Sequence, residues 1–308
     1  MDHKVTVVGA GFVGATCARR IVEQNLADVV LVDIMEGYAE GKALDIMQAA
    51  PIEGYSTKIV GSDKYDKTEN SDVIVITAGL SRQPGMTRDD LLKANAKVVG
   101  HVAEETSKRS PEAVIVTVTN PLDVMTYLTY KRSGFDSKKV VGMAGILDSA
   151  RYRWFIAEEM GVVPSQIQAM VLGGHGDSMV PLPRFSTVNG ISITELLPED
   201  KIEAINTRVK NGGAEIVNLL KKGSAYYAPS AAAVEMVKSL LYDEKKILPC
   251  SAYLSGEYEM KDLYCGVPVR LGKKGIEEVI ELDLTEKERS LLQKSGEGVK
   301  SVISQLEI

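Results

Sequence analysis

The feature that most constrains the chain is a series of six short runs dominated by valine and isoleucine. They are VTVVGA (5–10), DVVLVDI (28–34), KIVGS (58–62), DVIVITA (72–78), AVIVTVT (113–119) and VVGMA (140–144). None alternates apolar with polar residues, so each suits a strand covered on both faces, as in a parallel sheet flanked by helices. Helical patterns separate the runs, among them FVGATCARRIVEQ and LLKANAKVVGHVAEETSKR. The expected fold is α/β: an N-terminal doubly wound parallel sheet of the Rossmann type.

After about residue 145 the pattern changes. A helix is expected over LDSARYRWFIAEEMG, then strands around 167–172 and 184–194 with a hairpin turn at Asn189–Gly190. Two helices follow, with a bend expected at NGG (211–213), then an antiparallel set over 247–283 and a last helix opened by the Thr285/Glu288 capping box. The chain divides into a first domain over 1–145 and an α+β domain over 146–308, a length consistent with roughly 150 residues per domain.

Composition narrows the classes of function. A net charge of −6 gives no basic surface on the scale nucleic acid demands. Cys17, Cys250 and Cys265 are scattered, which argues against a disulfide framework or a zinc site and for a reducing compartment, the cytoplasm. No metal site, leader peptide or membrane span is expected.

The first strand runs into Gly9-x-Gly11-x-x-Gly14, which opens a helix. Gly9 permits a tight turn, Gly11 lets backbone approach a pyrophosphate, and Gly14 lets helix and strand pack closely. The backbone of Ala10, Phe12 and Val13 completes the candidate phosphate contact, because a helix N-terminus presents unpaired N–H groups and a positive dipole end. The alternative is a glycine turn with only a packing role. Asp33 lies 33 − 14 = 19 residues beyond the last glycine, at the end of the second run. A carboxylate there accepts a ribose hydroxyl and repels a 2′-phosphate, so the expected cofactor is NAD rather than NADP.

Three further segments follow strands or open helices. AGLSRQPGMTRDD (78–90) carries Arg82 and Arg88 around a Pro-Gly centre; it reads as a lid or as a solvated turn. VTNPLD (118–123) places Asn120 at a strand end, to bind a ligand or to cap a helix. LDSARYR sets Asp148 and Arg151 three apart on one helix face, as an ion pair or as two groups with separate partners. GGHGDSMVP (173–181) holds His175, one of three histidines, between glycines. By itself it reads as a turn histidine or as a catalytic one.

Together GAGFVG, LVDI, AGLSRQPGMTRDDL, VTNPLD, GILDSARYR, GGHGDSMVP and KKGSAYYAPSAA resemble, in order and spacing, the lactate/malate dehydrogenase family over essentially the whole chain. GGHGDS and LDSARYR are similar to its lactate dehydrogenase-like branch, while arginine at position 82 resembles the malate enzymes. The resemblance implies reversible hydride transfer between (S)-malate and NAD, giving oxaloacetate. It implies that His175 carries the proton, that Asp148 orients it, and that Arg151 clamps the C1 carboxylate. Arg82 would bind the distal carboxylate, Arg88 would polarise the reacting carbonyl, and Asn120 would hydrogen-bond the reacting oxygen. Asn95 and the backbone of Val118, Thr119 and Asn120 would contact the cofactor. Gly174 and Gly176 would let a ligand approach closely. The resemblance also implies a homodimer or homotetramer acting on a small molecule. The rival readings are a lactate or broader 2-hydroxy acid dehydrogenase and a non-catalytic NAD-binding protein.

Overall fold

The computed structural model describes residues 3–80 and 87–306, with the side chain of Arg88 left out. Among these residues the chain forms β1 (Lys4–Val8), α1 (Phe12–Glu23), β2 (Asp28–Val32), α2 (Tyr38–Glu53), β3 (Ile59–Ser62), β4 (Val73–Ile76), α3 (Arg88–Arg109), β5 (Val114–Thr117), α4 (Leu122–Ser133), β6 (Val140–Gly142) and α5 (Gly145–Met160). The second half adds β7 (Ile167–Gln168), β8 (Val171–Leu172), β9 (Val180–Pro181), β10 (Thr187–Val188), β11 (Ile191–Ser192), α6 (Ile193–Leu196), α7 (Glu199–Leu220), α8 (Tyr227–Leu241), β12 (Lys246–Ser255), β13 (Lys261–Gly272), β14 (Gly275–Val279) and α9 (Glu286–Ile303).

All six valine/isoleucine runs form strands, and they pair in parallel in the order β3-β2-β1-β4-β5-β6. The central strands β4 and β5 are buried along their whole length, as two-sided coverage requires. The order reverses between β1 and β4, so the loops leaving these two strands diverge and open a crevice at their carboxyl ends.

The sheet does not stop at β6. Strands β12, β13 and β14 continue it in antiparallel fashion to nine strands, where the sequence places them in a separate domain. The join is the pair Ser251–Gly142, and it depends on the missing side chain: a Cβ on Gly142 would stand 2.7 Å from that of Ser251.

The hairpin at Asn189–Gly190 forms between β10 and β11, and the Thr285/Glu288 capping box opens α9. The bend expected at 211–213 does not form. Helix α7 runs through it without a break, because Gly212 packs on α5, against Arg151 and Phe155. Glycine costs a helix roughly 1 kcal/mol per residue relative to alanine, and here it permits close approach of two helices. No helix among the described residues is long and apolar enough to cross a membrane.

Candidate active site

Strand β1 delivers the glycine loop to the crevice. Gly14 must be glycine: a Cβ there would overlap the carbonyl of Gly9 and come 2.5 Å from the Thr77 hydroxyl. That hydroxyl donates to the carbonyls of Val8 and Gly9 at 3.0 Å, tying β1 to the end of β4. Around Gly11, by contrast, a Cβ would meet nothing within 4 Å. Helix α1 starts there with no side-chain cap and no acidic residue in its first turn. Its leading N–H groups, among them those of Phe12 and Val13, therefore have no side-chain cap. The Val13 carbonyl accepts from Ser230 of α8 at 2.9 Å, so the C-terminal half of the chain braces the same helix.

Asp33, just beyond β2, accepts from the Ala10 N–H through Oδ2 at 2.7 Å and from the Met35 N–H through Oδ1 at 3.1 Å. Each oxygen keeps further acceptor capacity. The carboxylate thus shapes the glycine loop.

Behind β4 and β5, Asn95 is 1% exposed and fully engaged. Its Nδ2 donates to the carbonyls of Leu80 and Asn120 at 3.2 and 2.8 Å, and its Oδ1 accepts from the Leu80 N–H at 2.7 Å. Its amide clamps two loops and is spent on them. Val118 and Thr119 are buried, and the Thr119 hydroxyl donates to the Ala78 carbonyl at 2.7 Å. Asn120 precedes a cis peptide bond to Pro121 and is exposed, its side chain unbonded among the described residues.

The second cluster is built on α5. Asp148 is 1% exposed, on the first turn of the helix. Its Oδ2 accepts from His175 Nδ1 at 2.8 Å, and its Oδ1 accepts from Arg151 at 3.3 Å. The spacing therefore forms the intrahelical ion pair, and Asp148 reaches a second partner, His175, besides. A carboxylate can only accept, so Nδ1 carries the hydrogen and Nε2 is left for a proton in transit. Burial by itself would lower the His175 pKa. The charge and hydrogen bond of Asp148, with the charge of Asp123, outweigh it and leave the imidazole above its ordinary value. The Arg151 guanidinium has its Nε buried without a partner among the described residues, so its donor fork is mostly unspent.

The loop carrying His175 is pinned to the sheet. Gly173 and Gly266 exchange backbone hydrogen bonds at 2.8 and 3.2 Å, and the Gly174 N–H donates to Ser295 Oγ at 2.8 Å. The expectation that Gly174 makes room for a ligand is corrected here. A Cβ on it would stand 2.8 Å from the Val299 side chain of α9 and 3.5 Å from Asp123, so that space belongs to the protein. Asp123, inside VTNPLD, is the residue the sequence reading missed: its Oδ2 accepts from the His175 N–H at 2.8 Å. Its only signal in the sequence was an acid in a first helical turn, which any helix favours.

Arg82 lies outside the described residues, as does the side chain of Arg88, although Arg88 itself starts α3. The three cysteines are buried free thiols, and burial pushes Cys17 up to about 12, out of reach of chemistry at neutral pH.

Comparison with known proteins shows the family. Residues 3–142 match the family described as lactate/malate dehydrogenase, NAD binding domain, and residues 146–307 match lactate/malate dehydrogenase, alpha/beta C-terminal domain. The chain is 55% identical over 298 residues to a malate dehydrogenase of Chloroherpeton thalassium, covering 96% of each. It superposes on the malate dehydrogenase structure from Salinibacter ruber with a TM-score of 0.95 at 50% identity, over 99% of this chain and 97% of that one. The lactate dehydrogenase of Cryptosporidium parvum, solved with lactic acid and nicotinamide adenine dinucleotide, aligns with a TM-score of 0.94 at 42% identity, over 98% and 97%. On this evidence the chain belongs to the lactate/malate dehydrogenase family.

Proposed function

We propose that His175 is the proton carrier of an NAD-dependent oxidation of (S)-malate to oxaloacetate, a reaction this enzyme runs in both directions. The observation that carries the assignment is the 2.8 Å contact between His175 Nδ1 and Asp148 Oδ2. In malate oxidation, neutral His175 accepts the C2 hydroxyl proton at Nε2. Asp148 stabilises the imidazolium that results, as the aspartate of a serine-protease triad does. In the reverse direction His175 starts protonated and returns that proton. NAD, when bound, supplies the acceptor for the C2 hydride.

The residues fit that cofactor. The uncapped start of α1, with the backbone N–H groups of Gly11, Phe12 and Val13, holds its pyrophosphate, the Ala10 N–H being spent on Asp33, and Asp33 accepts from its adenosine ribose. The unspent fork of Arg151 takes the C1 carboxylate as a two-point contact, and the free amide of Asn120 meets the reacting oxygen. Arg82 takes the distal carboxylate and Arg88 polarises the carbonyl, both read from the loop sequence.

The finer readings are the division into 1–145 and 146–308, which the two family matches support, and a homodimer or homotetramer. Large apolar side chains left exposed on α2 and α7 support the latter, with Leu44, Ile52 and Leu219 more than half exposed. The buried free thiols suit the cytoplasm.

His175→Asn tests the assignment. Turnover should fall by about 10²–10⁴-fold, the usual worth of general acid–base catalysis, with NADH binding by fluorescence retained. Turnover near that of the wild type would move the proton transfer to another group.

A further inference from the structure

Beneath the His175–Asp148 pair lies a second buried carboxylate. Asp123 is 4% exposed, in the first turn of α4, directly after the loop that carries Asn120. Two donors from two other elements converge on it. The main-chain N–H of His175 donates to Oδ2 at 2.8 Å, and the Ser251 hydroxyl of β12 donates to Oδ1 at 2.6 Å. Each oxygen therefore accepts one hydrogen bond. Burial pushes the Asp123 carboxyl above its ordinary value, and the Ser251 hydroxyl and the His175 N–H pull it back towards the ionised form. A charge this deeply buried is expensive, and a neutral pair of the same shape would serve packing as well.

We propose that Asp123 is a positioning residue for the reaction: it locks the His175 main chain between α4 and β12 and sets a fixed second negative charge behind the imidazole. Asp148 orients the ring from the side chain, while Asp123 holds the loop from the backbone. Asn120 and Asp123 leave the same turn, so the group meeting the reacting oxygen and the group holding the proton carrier share one rigid support. The proposal rests on the reading of His175 as the proton carrier.

Among the described residues, three charged groups act on the imidazole. Helix α5 contributes Asp148 and Arg151, and α4 contributes Asp123. Ser251 of β12 touches Asp123, and Ser295 and Val299 of α9 face Gly174 beside His175; none of them titrates near neutrality. Cys265 of β13 interacts with Asp123, and burial holds its thiol far above neutrality. Arg151 acts against the two carboxylates. Removing the charge of Asp123 should therefore lower the His175 pKa, and by less than removing that of Asp148, which touches the ring.

The test is the pH profile of kcat/KM for oxaloacetate in Asp123→Asn. Asparagine keeps a carbonyl oxygen for the His175 N–H and discards the charge. Reduction needs protonated His175, so the limb on which the rate falls with rising pH should move to lower pH by on the order of one unit. KM should change little, because no substrate contact is lost. Ser251→Ala removes the hydroxyl that holds the Asp123 pKa down, so Asp123 takes up a proton at higher pH and the limb should move the same way by less, which covers the case in which Asp123→Asn does not fold. A limb that stays in place in the folded variants overturns the proposal. A wild-type profile without that limb instead overturns the reading of His175, so the two failures are distinct.

Discussion

The Asp148 carboxylate accepts the Nδ1–H of His175 at 2.8 Å while lying 1% exposed to solvent. Its other oxygen is taken by Arg151, so the carboxylate cannot rotate away without losing both partners. The imidazole is thus held in one tautomer and its charged form is favoured.

Asp148→Asn should separate these two contributions. The amide is near in shape but uncharged, and the His175 pKa should fall. Keto acid reduction needs the imidazolium, so its rate should drop off at lower pH than in the wild type. Malate oxidation needs the neutral ring, so its rising limb should also move to lower pH. At neutral pH kcat for reduction should fall by about 10–10²-fold, less than for His175→Asn. Profiles of both directions, measured on the same preparation, give the sign directly.

On the proposed reading, cofactor choice turns on Asp33. Its carboxylate repels a 2′-phosphate, and it also holds the N–H groups of Ala10 and Met35. Asp33→Ala should improve kcat/KM with NADPH by about 10-fold through lost repulsion. It should at the same time weaken NADH, because the glycine loop loses its anchor. Equal preference for the two cofactors in the wild type would remove the role of Asp33.

Gly14→Ala should be costly for a steric reason. The added Cβ would overlap the Gly9 carbonyl and press on the Thr77 hydroxyl, neither of which has room to retreat. Overpacking of this kind costs about 1–3 kcal/mol. A lower midpoint in urea and a weakened NADH fluorescence titration should appear together. Gly11→Ala, whose Cβ would meet nothing within 4 Å, should leave stability nearly unchanged and weaken only the cofactor.

Much of the fold was legible because two-sided burial leaves a plain mark: the valine and isoleucine of β4 and β5 have no polar neighbours to alternate with. The glycine loop and Asp33 were legible for a related reason, since spacing along the chain fixes their spacing in space. Contacts made across long stretches of sequence were not. Nothing in NGG says that Arg151 will lie against it, so a helix interior was read as a bend. Asp123 reaches the His175 backbone across 52 residues and Ser251 across 128, and neither pairing has a local pattern. The join of β12 to β6 likewise depends on one pair, Ser251–Gly142, that only the folded sheet brings together.

On the proposed reading, the choice of substrate rests on Arg82, in the loop GLSRQPG. Oxaloacetate offers it a distal carboxylate, and pyruvate offers a methyl group. A desolvated guanidinium without a partner costs roughly 3–5 kcal/mol, on the order of 10²–10³-fold in rate. Arg151→Gln should damage both substrates, because both carry the C1 carboxylate. The most direct measurement is kcat/KM for oxaloacetate and pyruvate, with NADH, in the wild type and in Arg82→Gln. The expected result is a wild-type preference for oxaloacetate of at least about 10²-fold, with Arg82→Gln losing oxaloacetate and gaining pyruvate. A wild type that reduces pyruvate as well as oxaloacetate, or an Arg82→Gln variant that loses both equally, would contradict it.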